Sequence, residues 1–197
     1  MAPIDRIFDD WKRITRFFRS SRIAFTSEAQ KWQALHAGAQ PPLRHEEDQS
    51  SYEVSVDDHL AVLADENLLC GMVLTHSYAL FESYCSDLAG ELNQAQGLNL
   101  AIAGGIEAWA PPLLGACGHN FGEVLHGLVG LVEAATVRNA IAHGEQIVTQ
   151  NMVARMQNSA GALPWPLGTP MALTFPLTKL YRDRLRSFLR YTQDAWR

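Results

Sequence analysis

The chain has 197 residues, of which 47% are hydrophobic and 19% are charged, and its formal net charge is −5. This length and balance predict one globular domain with a sizeable core, or one domain with an added helical arm. The acidic total excludes a chain that is basic throughout, as a general nucleic-acid coating protein would be. It does not exclude a local basic patch.

The charge is unevenly distributed along the chain. Residues 1–22 carry a net charge of +3, residues 179–197 carry +4, and the residues between them carry −12. The simplest interpretation is that each basic end forms a solvated helix face.

The three cysteines, Cys70, Cys85 and Cys117, are an odd number with no CxxC spacing. We therefore expect neither a disulfide framework nor a zinc knuckle. The first residues lack the apolar stretch of a signal peptide, and no run approaches about 18 uninterrupted apolar residues. These observations predict a cytoplasmic, soluble protein.

Helical periodicity begins near the N-terminus. From Ile4 to about Leu35, apolar residues recur at steps of three and four, which predicts one long amphipathic helix, with a break possible near Ser20 and Ser21. We assign residues 1–40 to this N-terminal helical extension. Residues 41–56, which contain two prolines followed by charged and serine residues, are predicted to be a polar linker.

The remaining residues, 57–197, are predicted to form a helical domain. Ser55 and Asp58 resemble a capping box that starts a helix reaching about residue 93, with a break possible near Ala64. Residues 94–120 are glycine-rich and suit one or two short helices. A further helix is predicted from near Asn120 to a C-cap at Gly144.

The last part of the sequence is predicted to be a loop followed by a closing helix. Residues 158–176 are interrupted by prolines, which favours a loop. The segment that follows has apolar residues at helical spacing almost to the C-terminus. The fold class is therefore all-α.

The residues best suited to a chemical function lie at the end of the predicted helix, just before Gly144. On a helical projection, Asn139 and His143 continue an apolar stripe formed by Leu125, Leu128, Val132 and Ala135. Burying an amide or imidazole without a partner costs on the order of 1–3 kcal/mol. We therefore expect these two side chains to have partners or to line a cavity.

Arg138 lies five residues before His143, roughly 140° around an ideal helix. The two can converge on one ligand if the helix unwinds at Gly144, or if a second copy of the helix packs alongside. The planar guanidinium of arginine can donate hydrogen bonds to two oxygens of a phosphate. Histidine can take up or release a proton near neutral pH without a metal. Together they suit cleavage of an RNA phosphodiester bond.

The alternative interpretation of this motif is structural. A histidine at a helix C-terminus is favoured by the helix dipole. Arg138 could likewise pair with an acid such as Glu133 or Glu82.

The segment VRNAIAHG resembles the Arg-x4–6-His signature of the HEPN superfamily. The upstream segment SYALFESYCSDLA is similar to the HEPN helix in which an aromatic residue and a glutamate interrupt an apolar run. The segment GGIEAWAPPLLGACG, between these two, also resembles the linking segment of bacterial members. The resemblance covers about residues 58–197.

The resemblance implies an antiparallel helical bundle of the HEPN type, here with an extra N-terminal helix, that usually forms a homodimer. It also implies a metal-independent endoribonuclease without cofactors, often in toxin–antitoxin, phage-defence or RNA-processing systems. Arg138 would then hold the phosphate, His143 would transfer the proton, and Asn139 would orient the RNA or the histidine. Glu82 would position Arg138.

The sequence leaves two questions open. The arginines of the closing helix most simply form a solvated face, but if RNA binds they could contact phosphates, and Arg182, Arg186 and Arg190 are the candidates. The chain could also be a non-catalytic HEPN-like module that dimerises and docks RNA or a partner protein such as an antitoxin or a nucleotidyltransferase.

Overall fold

The computed structural model describes residues 3–35, 43–47 and 50–193. Within them the chain is mainly helical, so the all-α prediction is confirmed for the body of the molecule. The described residues form seven helices, which are α1 (Pro3–Leu35), α2 (Val56–Ala64), α3 (Glu66–Gln96), α4 (Ile106–Ala116), α5 (Gly127–Ala142), α6 (Gln150–Asn158) and α7 (Phe175–Thr192).

A pair of short β-strands replaces part of the predicted linker. Strand β1 (Leu43–Glu47) pairs antiparallel with β2 (Ser50–Val54), in a register that sets Leu43 opposite Val54. The segment has none of the Asn-Gly or Asp-Gly pairs that mark short hairpins in a sequence. Without such a turn signal, the polar composition of the segment indicated a linker rather than a hairpin.

Helix α1 is continuous over 33 residues and has one buried face in its first half. Ile7, Trp11, Ile14 and Phe18 are spaced at three and four residues, and all four are buried in the core. The second half packs against α2, and an ion pair of 3.7 Å joins Arg22 to Glu66 at the start of α3.

The predicted break near residue 64 occurs at Asp65. Ser55 accepts a hydrogen bond from the backbone N–H of Asp58 and starts α2, as the capping box predicts. The backbone N–H of Asp65 donates to Val62, while its carboxylate accepts from the backbone N–H of Leu68. Asp65 thus ends α2 and caps the N-terminus of α3.

Helix α5 lies at the centre of the molecule and packs against α3, α4, α6 and α7. It begins at Gly127 rather than near Asn120, because the positive φ angles of His126 and Gly127 separate the preceding turns from the regular helical backbone that follows. Gly144 has a φ of 74°, and the N–H of Glu145 donates to Ala140. This Schellman arrangement ends the helix where the sequence predicts.

Helix α7 runs antiparallel to α5 and buries two of its arginines. The guanidinium of Arg184 donates to Glu133 at 2.8 Å, and Tyr181 donates to the other oxygen of the same carboxylate at 2.9 Å. Arg182 lies over the ring of Trp11 and donates to the Trp11 carbonyl and to Thr15. Burial lowers the pKa of Arg182 to about 10.

The predicted solvated arginine face is therefore wrong for Arg182 and Arg184, which are buried and form hydrogen bonds inside the protein. Arg186 and Arg190 are exposed as expected.

Helix α6 was not predicted from the sequence. It is capped by Thr149 and buries Met152 and Met156 against α5.

Candidate active site

Arg138 is held against α3 by three neighbours. Its Nη1 donates to the side-chain oxygen of Asn139 at 2.8 Å, and its Nη2 lies 3.4 Å from a carboxylate oxygen of Glu82. Its guanidinium carbon lies 4.8 Å from the centre of the Tyr78 ring. The plane of the arginine fork is therefore fixed by contacts on two helices.

Tyr78 and Glu82 lie one turn apart on α3, so they share a face toward Arg138. Tyr78 is buried, and burial together with the charge of Glu82 raises the pKa of its hydroxyl well above the ordinary value. Tyr78 is therefore a neutral support for the guanidinium. It was not among the predicted site residues, although its four-residue spacing from Glu82 is a signal that could have found it.

The arginine keeps hydrogen-bonding capacity for a ligand. A guanidinium has five N–H donors, and Asn139 and Glu82 occupy one on each terminal nitrogen, which leaves a second donor on each. The remaining donor, on Nε, is buried without a partner among the described residues. A buried donor left unpaired costs about 1–3 kcal/mol and is uncommon outside functional sites.

His143 is exposed at the C-cap of α5, and its backbone N–H donates to Asn139 and Ala140. Its ring makes no hydrogen bond, ion pair or ring contact with the described residues. The expected position on the core-facing stripe is therefore wrong for His143, because the helix ends beside it. Asn139 is half-buried and has Arg138 as its partner.

A groove separates α3 from the end of α5 and has a volume of about 670 Å³. We call it the α3–α5 groove. Its walls include Leu68, Met72 and His76 of α3 and Ala142 and Gly144 at the end of α5. Ala142 lies one turn after Arg138 on the same face of α5, although Arg138 itself does not line the groove. His143 is flanked by two of the lining residues.

The predicted site residues fall into two groups. Arg138, Asn139 and Glu82 are in direct contact, and His143 follows them at the end of α5 without touching them. Arg186 and Arg190 lie beside Glu123 and Leu125, before the start of α5. With a rise of 1.5 Å per residue, the length of α5 separates them from His143 by roughly 20 Å.

A second arginine near Tyr78 was not predicted from the sequence. Arg155 on α6 donates two hydrogen bonds, of 3.2 and 2.8 Å, to the carboxylate of Glu107 on α4. Burial alone would raise the pKa of Glu107, but these bonds hold it below the ordinary value. Because α6 itself was not predicted, nothing in the sequence placed Arg155 near α4.

Nothing in the described residues indicates a metal site or a membrane span. They contain no group of three or more His, Cys, Asp or Glu side chains arranged to hold a metal ion. No helix within the same part of the chain is both long and apolar enough to cross a bilayer. Comparisons with models of known protein families, with curated proteins and with solved structures find no match.

Proposed function

We propose that the chain is a metal-independent endoribonuclease whose site is shared between two copies, in a toxin–antitoxin or phage-defence setting. The observation that carries the proposal is the fixed guanidinium of Arg138, with two free donors, followed by the unengaged ring of His143 at the end of the same helix. The choice of RNA cleavage as the reaction, and of toxin–antitoxin or phage-defence systems as the setting, rests on the resemblance of VRNAIAHG to the HEPN signature.

The proposed chemistry is an internal transesterification of RNA. A neutral His143 takes the proton of a ribose 2′-hydroxyl, whose oxygen attacks the neighbouring phosphorus. Arg138 donates to the non-bridging oxygens as negative charge builds on them. The bond to the 5′-oxygen breaks, that oxygen takes a proton from water, His143 returns its proton to solvent, and a 2′,3′-cyclic phosphate remains.

Two copies are needed because one copy does not bring the groups together. Helix α5 stays regular to Ala142, so Arg138 and His143 point about 140° apart on ideal geometry. The α3–α5 groove beside them exposes Leu68 (58%) and Met72 (59%) to solvent. Large apolar side chains this exposed favour an interface, and pairing two copies across the groove would bring both motifs to one cleft.

The first test is cleavage of single-stranded RNA by the purified chain in EDTA, with product ends identified as cyclic phosphates. We expect His143→Ala to lower the rate by about 10²-fold or more. The matched control is His119→Ala, which removes a histidine near Glu123, away from the site. Equal loss in both variants, or a strict requirement for a divalent metal, would contradict the proposal.

The second test asks whether the site is shared. Inactive Arg138→Ala and His143→Ala chains carrying different tags are co-expressed, and the mixed dimer is purified. Activity in the mixed dimer, but in neither parent, is expected if the arginine of one copy works with the histidine of the other. A mixed dimer as inactive as its parents would rule out this shared arrangement.

The second candidate function is a non-catalytic docking module. It is favoured by the exposed apolar residues on α1 and α2, where Ile23 and Val62 are 71% and 62% exposed. Such residues suit a partner protein rather than RNA. Expression toxicity separates the two functions, because only the nuclease should become harmless when His143 is replaced by alanine.

A further inference from the structure

The first half of α1 carries concentrated positive charge on its outer face. Residues 12–22 contain five basic residues and no acidic one, although the whole chain has a net charge of −5. The buried positions of this segment, Ile14 and Phe18, lie on the opposite face of the helix. We call the four exposed residues Lys12, Arg13, Arg16 and Arg19 the α1 basic strip.

Half of this strip has no carboxylate partner. Lys12 pairs with Asp9 at 2.8 Å and Arg13 pairs with Asp10 at 3.3 Å. Arg16 and Arg19 form no ion pair within the described residues, so their guanidinium groups face solvent with their charge uncompensated. Two exposed guanidinium groups one turn apart are suited to neighbouring phosphates.

One residue of the strip lines a groove that shares two residues with the α3–α5 groove. Arg13 and Phe17 line a groove between α1 and α3 that also includes Met72 and His76. These two α3 residues line the α3–α5 groove as well. Since neighbouring helix axes lie 8–10 Å apart, the strip stands about 20 Å from the end of α5. A bound polynucleotide can span this distance.

Phe17 adds an aromatic surface to the strip. Its side chain is 56% exposed and lies one turn after Arg13, beside the same groove. An exposed ring next to cationic side chains is the combination that binds single-stranded nucleic acid, because bases stack on the ring and phosphates meet the charges.

We propose that the α1 basic strip binds the phosphate backbone of single-stranded RNA on one side of the bond that is cut, with Phe17 stacking on a base. The inference rests on the proposed nuclease function, which supplies the RNA. A lipid surface fits α1 poorly, because a membrane-bound amphipathic helix presents its apolar face to the bilayer. Here that face is buried through Ile7, Trp11, Ile14 and Phe18.

The test measures binding without cleavage, using the full chain with His143→Ala, a short fluorescein-labelled single-stranded RNA, and EDTA. Added Arg16→Gln and Arg19→Gln substitutions are expected to weaken the affinity about tenfold at low salt. They should also reduce the slope of log K against log salt by about 1.4, since each phosphate contact on a single strand contributes roughly 0.7. Phe17→Ala is expected to weaken binding about fivefold or more.

The charge-matched comparison is Lys31→Gln with Lys179→Gln, which removes two exposed charges outside the strip. A loss of affinity equal to that of the strip variant would mean that only total charge matters and would overturn the proposal. Tighter binding of the same chain to vesicles of phosphatidylcholine and phosphatidylglycerol than to RNA would overturn it in favour of a membrane. Circular dichroism verifies that each variant is folded.

The same variants separate this inference from the proposed function. If the chain with His143 intact cleaves RNA while Arg16→Gln and Arg19→Gln leave both affinity and KM unchanged, the strip proposal fails and the nuclease stands. If RNA binding depends on the strip but no cleavage occurs, the strip stands and the nuclease fails. If no RNA is bound at all, both fail.

Discussion

Among the described residues, Glu133 is the centre of a buried group of charged and polar side chains. Its carboxylate accepts from Arg184 and Tyr181, and Arg184 also donates to His126. The side chains of Arg184 and Glu133 are only 7% and 12% exposed. Removing one partner of such a pair leaves a buried charge without compensation.

Arg184→Ala is therefore expected to lower the free energy of unfolding by about 3 kcal/mol or more. Arg186→Ala, two residues along the same helix but exposed, should change it by no more than about 0.5 kcal/mol. Urea unfolding followed by circular dichroism measures both. The double variant with Arg184→Met and Glu133→Gln should lose less free energy of unfolding than Arg184→Met alone, because it leaves no unpaired buried charge. A larger loss in the double variant would contradict the role given to the pair.

The bond between Arg155 and Glu107 gives a pH-dependent prediction. Because the pKa of Glu107 is lowered in the folded protein, the pair contributes stability above the ordinary pKa of 4.5 and loses it as the pH falls below that value. At neutral pH, Arg155→Gln is expected to cost about 0.5–1 kcal/mol, since the pair is partly exposed.

The difference between the wild-type chain and Arg155→Gln should then vanish well below pH 4.5, where Glu107 is protonated in both folded and unfolded states. Denaturant unfolding curves of both chains, recorded at neutral pH and well below pH 4.5, measure this difference in the free energy of unfolding. A difference of the same size at both pH values would show that Arg155 stabilises α6 through packing rather than charge.

Single residues also show what a sequence can predict of the candidate site. The contact between Arg138 and Glu82 was predicted as one of two possible acid pairings, the other being Glu133, and the resemblance to HEPN proteins also implied it. The burial of Arg182 and Arg184 was not, because it depends on which neighbours α7 meets: Trp11, Thr15 and Glu133 come from distant parts of the chain. Spacing within one helix does not reveal such partners.

At the scale of elements, α1 is attached to the rest of the molecule mainly through its first half. Trp11 is the centre of this attachment, because its ring lies under the guanidinium of Arg182 and its carbonyl accepts from the same group. The second half of α1 is largely exposed and contacts α2.

Trp11→Ala is expected to lower the free energy of unfolding by about 3–5 kcal/mol, because it leaves a cavity and an arginine without its aromatic partner. Ile23→Ala, on the exposed half of the same helix, should be nearly neutral. Thermal unfolding measured by calorimetry tests the pair of variants. Comparable losses in both would mean that the exposed half of α1 is buried in solution.

The predicted elements agree with the structure where periodicity and caps are both present, as at Ser55 and Gly144. The disagreements have local causes. The start of α5 is set by the left-handed backbone of His126. Histidine adopts this conformation more often than most residues, but still too rarely for its presence in a sequence to predict it. The two strands are held by backbone pairing between Leu43 and Val54 and their neighbours, which leaves little trace in residue type.

At the scale of the whole molecule, the α3–α5 groove is where we expect two copies to meet. Met72→Glu places a charge on this apolar surface and should convert the proposed dimer to a monomer in light scattering at micromolar concentration, with loss of the proposed RNA cleavage. Leu167→Glu is the control, because Leu167 is also about half exposed but lies in the loop before α7. A dimer that tolerates Met72→Glu would place the interface elsewhere.

The end of α5 has a consequence for how activity and folding are related. The backbone of His143 is fixed by helix-terminating hydrogen bonds, whereas its ring takes no part in the contacts that hold the described residues together. Natural selection can therefore change the side chain at this position at almost no cost in folding. If the proposed nuclease function is correct, a relative can lose catalysis through one substitution at this position while it keeps the same fold.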